Sequence, residues 1–282
     1  MTQHSDLLGF APQRTAPRIP RAPGADTACS SGPDSLFHAI GLERLNATAS
    51  MLVRRDNKYV VREESLAPAW AALARQFDML EIDGTRDFLY DTCYFDDPAY
   101  TSYFDHHRGR RQRCKIRMRR YVDARLCFAE IKLKGKRGQT EKRRVACPLE
   151  QYGMLDDGSE AQIRAAYREL YGRAFEQVLE PVVWMRYRRT TLVAKEGGER
   201  MTIDRGLVFR DASGTCRIDD GLVIVETKSG NANGIADKIL RALHQHPTNG
   251  ASKYCVSLAA LGRVGKYNKL LPALRKLDVL PL

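Results

Sequence analysis

The chain has 282 residues, of which 43% are hydrophobic and 28% charged, a composition typical of soluble globular proteins. Its 46 Lys and Arg residues exceed its 34 Asp and Glu residues, which gives a formal net charge of +12 at pH 7. No apolar run approaches the roughly 20 residues of a membrane-spanning helix, and neither collagen-like nor coiled-coil repeats are present, so these three classes are excluded.

Elements can be predicted in chain order from composition and periodicity. Residues 1–35 are rich in Pro, Arg, Ser and Gly, which predicts a disordered basic tail before a single folded domain over residues 36–282. Alternation with period two predicts nine strands, at 51–61, 88–95, 112–121, 126–134, 142–148, 182–194, 200–209, 222–228 and 253–258. Helical periodicity predicts helices at 67–77, 159–177, 234–246 and 266–277. This succession favours an α+β protein built on an antiparallel sheet or barrel.

The excess positive charge lies in one segment. Residues 108–144 hold 16 basic and three acidic residues, a net charge of +13, whereas the other 245 residues hold 30 basic and 31 acidic residues. We therefore expect part of this segment to bind anions.

Long charged side chains occupy one face of several predicted strands. Arg113, Lys115, Arg117 and Arg119 alternate with apolar residues in 112–121. Comparable faces carry Glu130, Lys132 and Lys134; Lys142 and Arg144; Arg54, Asp56 and Lys58; and Glu226 and Lys228. A solvated outer surface explains any single face of this kind. Like charges on neighbouring strands repel, however, unless an anion or interleaved acids compensate.

If the sheet closes into a barrel, one alternating set of side chains must point inward. The apolar set would then pack against outer helices and leave a basic lumen with a few carboxylates. Lys and Arg in such a lumen would hold phosphate oxygens, and Asp or Glu would hold Mg²⁺ or Mn²⁺.

An ordered series of short motifs resembles the VTC domain, the polyphosphate-polymerase module of the CYTH/triphosphate tunnel metalloenzyme superfamily. The resemblance covers about residues 50–258. Its motifs are RxDxKY at 54–59, YDTCYFD at 90–96, KIRMRRY at 115–121, AEIKLK at 129–134, KRR at 142–144, PxxxxxYxR at 181–189, ERMTID at 199–204, VETK at 225–228 and SKY at 252–254.

The resemblance implies an antiparallel eight-stranded β-barrel tunnel with flanking helices, in which the helix at 266–277 packs on or caps the barrel. It implies phosphate-binding residues Lys58, Arg117, Arg119, Lys132, Lys142, Arg189, Arg200, Ser252 and Lys253, with Arg144 and Lys228 as further contacts. Glu226 matches the family's metal-binding carboxylate, and Glu130, Asp56 and Asp204 are weaker candidates for binding metal or orienting the basic residues. The implied catalytic set is Lys58, Arg117, Arg119, Lys132 and Glu226.

Two positions depart from the family pattern. His106 stands three residues after Tyr103, where the family usually has Lys or Arg, and Arg108 or Arg110 could take its place. Gly250 stands two residues before Ser252, where some members have a further Lys.

The favoured hypothesis is a metal-dependent phosphotransferase that moves the γ-phosphoryl group of ATP onto a growing inorganic polyphosphate chain. Water as the acceptor would instead make the protein a tripolyphosphatase or nucleoside triphosphatase. A non-catalytic binder of polyphosphate or nucleic acid is the third hypothesis, but carboxylates among the basic residues disfavour nucleic acid as the partner.

Location is inferred from what the sequence lacks. The seven scattered cysteines have no CxxC spacing, which favours reduced cytosolic thiols over disulfides or a zinc site. The amino-terminal residues lack the apolar core of a signal peptide. We therefore expect a cytoplasmic protein, which a membrane-protein partner could recruit to the inner face of the membrane.

Overall fold

The computed structural model describes residues 32–48, 55–135 and 140–281. Within these ranges an eleven-stranded sheet is flanked by seven α-helices. The strands are β1 (Ala39–Ile40), β2 (Arg55–Arg62), β3 (Phe77–Leu80), β4 (Asp87–Asp96), β5 (Cys114–Tyr121), β6 (Leu126–Lys134), β7 (Thr140–Cys147), β8 (Glu180–Ala194), β9 (Arg200–Arg210), β10 (Thr215–Arg217) and β11 (Leu222–Ser229). The helices are α1 (Leu42–Thr48), α2 (Trp70–Gln76), α3 (Thr101–Arg108), α4 (Asp157–Tyr171), α5 (Ile235–Ala242), α6 (Lys253–Ala260) and α7 (Leu271–Lys276). No helix in the described ranges combines the length and the apolar composition needed to cross a bilayer.

Eight of the strands form one continuous path, in the order β2-β11-β9-β8-β4-β5-β6-β7, and every pairing along it is antiparallel. Off this path, β3 pairs with β8, β1 lies parallel to β3, and β10 pairs with β9. Among the described residues no backbone pairing joins β7 to β2. The sheet is therefore larger than the eight strands expected, and its closure into a barrel remains a prediction.

Helices cover the outer face of the sheet in two places. Val223 and Val225 of β11 pack with Leu73 of α2 and Leu240 of α5 in one apolar cluster. A second cluster joins β4, β5 and β6 to α4, whose Ile163, Ala166 and Tyr167 are buried. These contacts turn the apolar residues of the strands outward and leave the charged set on the opposite face.

That inner face is divided into an apolar end and a charged end. Val60 lies two residues from Lys58, and Ile224 lies two residues from Glu226, so these side chains share one face of the sheet. Val60 and Ile224 nevertheless belong to an apolar cluster with Leu258 of α6. The cluster continues into α7, which contributes buried Ala273 and Leu274, and to buried Leu277 directly after the helix. Thus α6 and α7 cover the apolar end of the inner face.

A β-bulge places both kinds of side chain on the inner face of β9. Three residues of β8, from Arg186 to Arg188, oppose four of β9, from Val208 to Arg205. Gly206 lies in this stretch with φ of +57°, a conformation that glycine adopts without a Cβ clash. The extra residue shifts the alternation, so Asp204 precedes the bulge on the inner face and Leu207 follows it there.

One predicted strand is wrong. Residues 253–258 form the start of α6, because Ser252 caps the helix by accepting a hydrogen bond from the backbone N–H of Cys255. All residues from 254 to 259 are buried. The sequence of this segment therefore lacks the periodic polar positions that distinguish a helix from a strand.

Other segments differ from the predictions at their ends. The helix predicted at 159–177 stops at Tyr171, where Gly172 adopts the left-handed conformation with φ of +71°. Residues 1–31 of the predicted tail and 51–54 of the first predicted strand lie outside the described residues. The last part of that predicted tail is a short 3-10 helix, Pro33–Leu36.

Candidate phosphate-binding site

The sheet register brings the predicted site residues onto one face. In β5, β6 and β7, Lys115 pairs with Lys132, which pairs with Lys142; Arg117 pairs with Glu130, which pairs with Arg144. At the other end of the path, Lys58 pairs with Glu226, Asp56 with Lys228, and Lys228 with Arg200. Arg189 pairs with Asp204 across β8 and β9.

Glu226 is the acidic centre of the β2–β11 side. Its Oε1 lies 2.8 Å from Lys228 Nζ and 3.5 Å from Lys58 Nζ, and its side chain is 13% exposed. Burial favours the neutral acid, but Lys228, Lys58 and Lys132 outweigh it and hold the pKa of Glu226 well below its usual range. Glu226 in turn raises the pKa of Lys58, whereas burial lowers that of Lys228 to about 8.

The two ends of the strand path approach each other across this face. Lys132 belongs to β6, next to the last strand of the path, yet Glu226 of β11 and Asp56 of β2 both favour its charged form. Burial is nevertheless the larger influence and lowers the pKa of Lys132. The Lys132 side chain nevertheless remains exposed to solvent.

Glu130 joins basic residues of β5 and β7. It is 1% exposed and lies 2.6 Å from Arg117 Nη2 and 2.5 Å from Lys142 Nζ. Burial would raise the pKa of Glu130, but the two cations lower it far below its usual range. Burial lowers the pKa of Lys142 to about 8, although Glu130 opposes this shift.

Asp204 holds a second pair of cations. Its carboxylate accepts two hydrogen bonds from Arg189, at 2.5 and 2.7 Å, and forms an ion pair with Lys253 at the start of α6. Asp204 is fully buried, yet Arg189 and Lys253 outweigh burial and lower its pKa to about 2. The same carboxylate therefore fixes one residue of the sheet and one of α6.

Tyrosine rings form the wall between these groups. The Arg189 guanidinium lies 5.2 Å from the ring centre of Tyr90 and 5.4 Å from that of Tyr187. Arg119, 5% exposed, donates to Tyr187 Oη at 2.8 Å and to Thr92 Oγ1 at 3.2 Å. The tyrosine rings thus pack against the two arginines and support them.

The remaining predicted residues lie at the margins of the same face. The Arg144 guanidinium lies 4.7 Å from the ring centre of Phe128, and Arg200 begins β9 beside Lys228. Ser252 caps α6. The structure therefore brings the predicted phosphate-binding residues together on one face. Their role in binding phosphate stays a prediction.

Sequence reasoning noted Lys115 on the charged face but did not include it in the site. Its Nζ donates to Ser252 Oγ at 2.7 Å and lies 5.8 Å from the ring centre of Tyr254. Only the alternation with Arg117 indicated this position, because the contact spans 137 residues of sequence.

The two departures from the family pattern have structural reasons. His106 is held on both ring nitrogens: Nε2 donates to the carbonyl of Cys114 at 3.1 Å, and Nδ1 accepts from Arg113 Nε at 3.2 Å. Burial strongly lowers the pKa of His106, so the ring is neutral. The proposed substitutes are engaged elsewhere, Arg108 over the Phe104 ring and Arg110 with Asp105.

Gly250 cannot be replaced by lysine without a backbone shift. Its φ is +77°, and a Cβ there would lie 2.7 Å from the carbonyl oxygen of Lys269. The missing side chain is therefore a consequence of how this loop packs.

The carboxylates fit a divalent cation only in part. No group of three or more His, Cys, Asp or Glu residues that could hold a metal occurs in the described ranges. Glu130 and Asp204 are occupied by basic residues, so a metal-binding role for them remains a prediction, as it does for Asp56. Glu226 is in contact with Lys228 and Lys58, and both distances are measured at Oε1. A single carboxylate of this kind suits Mg²⁺, which is commonly held by one or two carboxylates together with substrate phosphates and water.

Solved structures of low sequence identity resemble this fold. A "putative adenylate cyclase" from Bacillus halodurans is 12% identical, with a TM-score of 0.47 over 76% of this chain and 98% of that one. A "putative adenylyl cyclase" from Hippeastrum, named with a dominant triphosphatase activity, is 15% identical, with a TM-score of 0.42 over 72% and 93%. The PH1819 protein of Pyrococcus horikoshii is 12% identical, with a TM-score of 0.36 over 69% and 92%. No curated protein sequence matches the chain significantly.

The family match covers the whole charged face. The VTC domain family matches residues 53–262, which is 210 of 282 residues and includes every predicted site residue from Asp56 to Lys253. The chain therefore belongs to the VTC domain family.

Proposed function

We propose that this protein is a metal-dependent polyphosphate polymerase that transfers the γ-phosphoryl group of ATP to a growing polyphosphate chain. The observation that carries the proposal is the convergence of basic residues from β2, β5, β6, β7, β8 and β11 on one face with only a few acids. Burial lowers the pKa of Lys132, Lys142 and Lys228 there. A polyanion would relieve this cost, because each phosphate oxygen favours the charged form of a neighbouring lysine.

The enclosing tunnel is part of the proposal. The influence of Asp56 and Glu226 on Lys132 supports a sheet whose ends curl towards each other. We infer that the eight-stranded path surrounds the phosphate chain, with the apolar set of side chains packed outside.

The chain's own residues would act by positioning and by charge neutralisation, which supply most of the rate in phosphoryl transfer. Arg117 and Arg119 on β5 would bind the phosphate oxygens from one side of the phosphate chain. Lys58 on β2 and Lys132 on β6 would bind these oxygens from other sides. Arg189 and Lys253 are held in place by Asp204. When bound through Glu226, Mg²⁺ or Mn²⁺ would supply further charge neutralisation at the transferred phosphoryl group.

Hydrolysis is the second candidate, and one structural feature favours it. Because α6 and α7 cover the apolar end of the inner face, a long product chain has no straight path out at that end. A triphosphatase, whose products are short, would not need such a path.

Incubation of the full chain with ATP and Mn²⁺, followed by gel analysis of polyphosphate and an assay for free phosphate, separates these functions. We expect polyphosphate to form with wild-type protein and to fall sharply with Lys132→Ala and Glu226→Gln. Lys238→Ala, a change at an exposed residue of α5, is the matched control. Free phosphate without polyphosphate would establish the hydrolase instead. Binding of polyphosphate without any turnover, with every divalent metal tried, would leave only a binding protein.

A further inference from the structure

Thr202 of β9 lies on the inner face of the sheet, beside the acidic centre at Glu226. Its neighbours Met201 and Ile203 pack outward in the apolar cluster with α2 and α5, so alternation turns the Thr202 side chain inward, on the same side as Asp204. The register places Thr202 directly opposite Glu226 of β11. Residues so paired have Cβ atoms about 4.5–5.5 Å apart, so the Thr202 hydroxyl is a neighbour of the Glu226 carboxylate.

The Thr202 hydroxyl is buried without a partner. The residue is 3% exposed, and its Oγ1 makes no hydrogen bond within the described part of the chain. A hydroxyl that leaves water without gaining a hydrogen bond lowers the stability of the fold. Valine has nearly the same shape, suits a strand equally well and would avoid this cost. A threonine here therefore indicates a partner that the folded chain alone does not supply.

Glu226 is the acceptor that gains a need for such a donor during the proposed reaction. Its carboxylate now contacts Lys228 and Lys58, two lysines that phosphate oxygens would attract when a substrate binds. An ionised carboxylate offers about four lone-pair sites, of which a cation occupies only some. Hydrogen bonds from neighbouring groups commonly orient the carboxylates that bind metals. Thr202 stands where such a donor is required.

We propose that Thr202 is a positioning residue for Glu226: its hydroxyl donates a hydrogen bond to the Glu226 carboxylate, directly or through one buried water molecule, when that carboxylate binds a divalent cation. The inference rests on the proposed function, because it deepens the role of Glu226 as a metal-binding residue. The direct bond and the water bridge have the same consequence, since either one holds the carboxylate in a single orientation towards the cation.

The test measures, by isothermal titration calorimetry on the full chain, how much Mn²⁺ strengthens the binding of a non-hydrolysable ATP analogue. Each protein is titrated with the Mn²⁺ complex of the analogue and with the metal-free analogue in EDTA. The variants are Thr202→Val, which removes only the hydroxyl, and Thr202→Ser, which keeps it. Thr191→Val is the matched control, because Thr191 of β8 pairs with Thr202, is 6% exposed and lies one strand farther from Glu226.

We expect Thr202→Val to weaken binding of the Mn²⁺ complex by about tenfold, as loss of one hydrogen bond to a charged group predicts, and to leave the metal-free affinity unchanged. Thr202→Ser should recover most of this loss. In a Glu226→Gln background Thr202→Val should add little, because the hydroxyl acts through the carboxylate.

Stability supplies an independent measurement. In the ligand-free protein Thr202→Val should raise the melting temperature by roughly 2–4 °C, because it removes a buried hydroxyl that has no partner there. If the valine variant does not fold, Thr202→Ala tests the effect on binding of the Mn²⁺ complex.

Three results would each overturn the role of Thr202: unchanged affinity of Thr202→Val for the Mn²⁺ complex, an equal loss in Thr191→Val, or a lower melting temperature in Thr202→Val. No gain from Mn²⁺ in the wild type would overturn it together with the metal-binding role of Glu226. Failure of the polymerase function looks different, because Mn²⁺ would then strengthen analogue binding in a Thr202-dependent way while no polyphosphate formed from ATP.

Discussion

Binding of a triphosphate should take up protons, because two lysines of the site are only partly charged before the ligand arrives. Burial lowers the pKa of Lys142 and of Lys228 to about 8. At pH 8 each ammonium group is therefore about half protonated. A bound phosphate chain favours the charged forms and raises both pKa values, so affinity must fall as the pH rises through 8.

The magnitude follows from the two pKa values. Between pH 7 and pH 9 the charged fraction of a group with pKa 8 drops about tenfold, from about 0.9 to about 0.09. If binding requires the charged form, each lysine weakens the affinity by the same factor. The Lys228 side chain is 14% exposed, so its tenfold factor should be nearly complete. Water screens Lys142, which is 40% exposed, so the combined loss should lie between about tenfold and a hundredfold.

Calorimetric titration with a non-hydrolysable ATP analogue and Mg²⁺, at constant ionic strength, measures this effect directly. Repeating the titration at pH 8 in buffers of different ionisation enthalpy counts the protons, and we expect uptake of about one. The last proton of a terminal phosphate leaves near pH 6, so this uptake comes from the protein. Lys142→Met and Lys228→Met should each remove up to about half a proton, whereas Lys238→Met should change nothing. No proton uptake at pH 8, or an affinity that does not change up to pH 9, would refute the reasoning.

The other predictions concern single side chains. Glu226→Gln should slow phosphoryl transfer by about 10²–10³-fold in a steady-state assay with Mn²⁺; an equal loss in Glu64→Gln, at an exposed position, would contradict a specific role. Asp204→Asn leaves Arg189 and Lys253 without their buried counter-charge and should lower the free energy of unfolding in urea by about 3–5 kcal/mol; a loss below about 1 kcal/mol would mean that water compensates. Gly250→Ala should cost about 1–3 kcal/mol in the same assay because of the contact with the carbonyl of Lys269. Gly172→Ala, also at positive φ but with nothing within 4 Å, should cost less.

The strands of the central path could be predicted because each is half buried. In β5, β6 and β11 an outer apolar set and an inner charged set alternate, so period two survives in the sequence. The segment that forms α6 is buried on all sides, and its apolar run carries no period. The capping contact of Ser252 decides in favour of a helix, but a single serine is too weak a signal to reveal this in advance.

The site was predictable in its charges but not in its partners. Alternation and the family motifs identified Arg117, Lys132 and Glu226, whereas the contact between Lys115 and Ser252 depends on how α6 lies across the sheet. The three strands off the central path, β1, β3 and β10, span two, four and three residues and are too short for a periodic signal. The neutral state of His106 depends in the same way on burial against Cys114, which no local pattern encodes.

Helix α6 links the apolar end of the inner face to its charged end. Its buried residues, including Tyr254 and Leu258, pack with the apolar end of the sheet, and its first residue, Lys253, pairs with Asp204 at the boundary with the charged end. Any displacement of the helix would therefore move Lys253 relative to Arg189, because one carboxylate binds both. The packing that covers one end of the inner face is thus the same packing that positions Lys253 and Arg189, two of the residues predicted to bind phosphate.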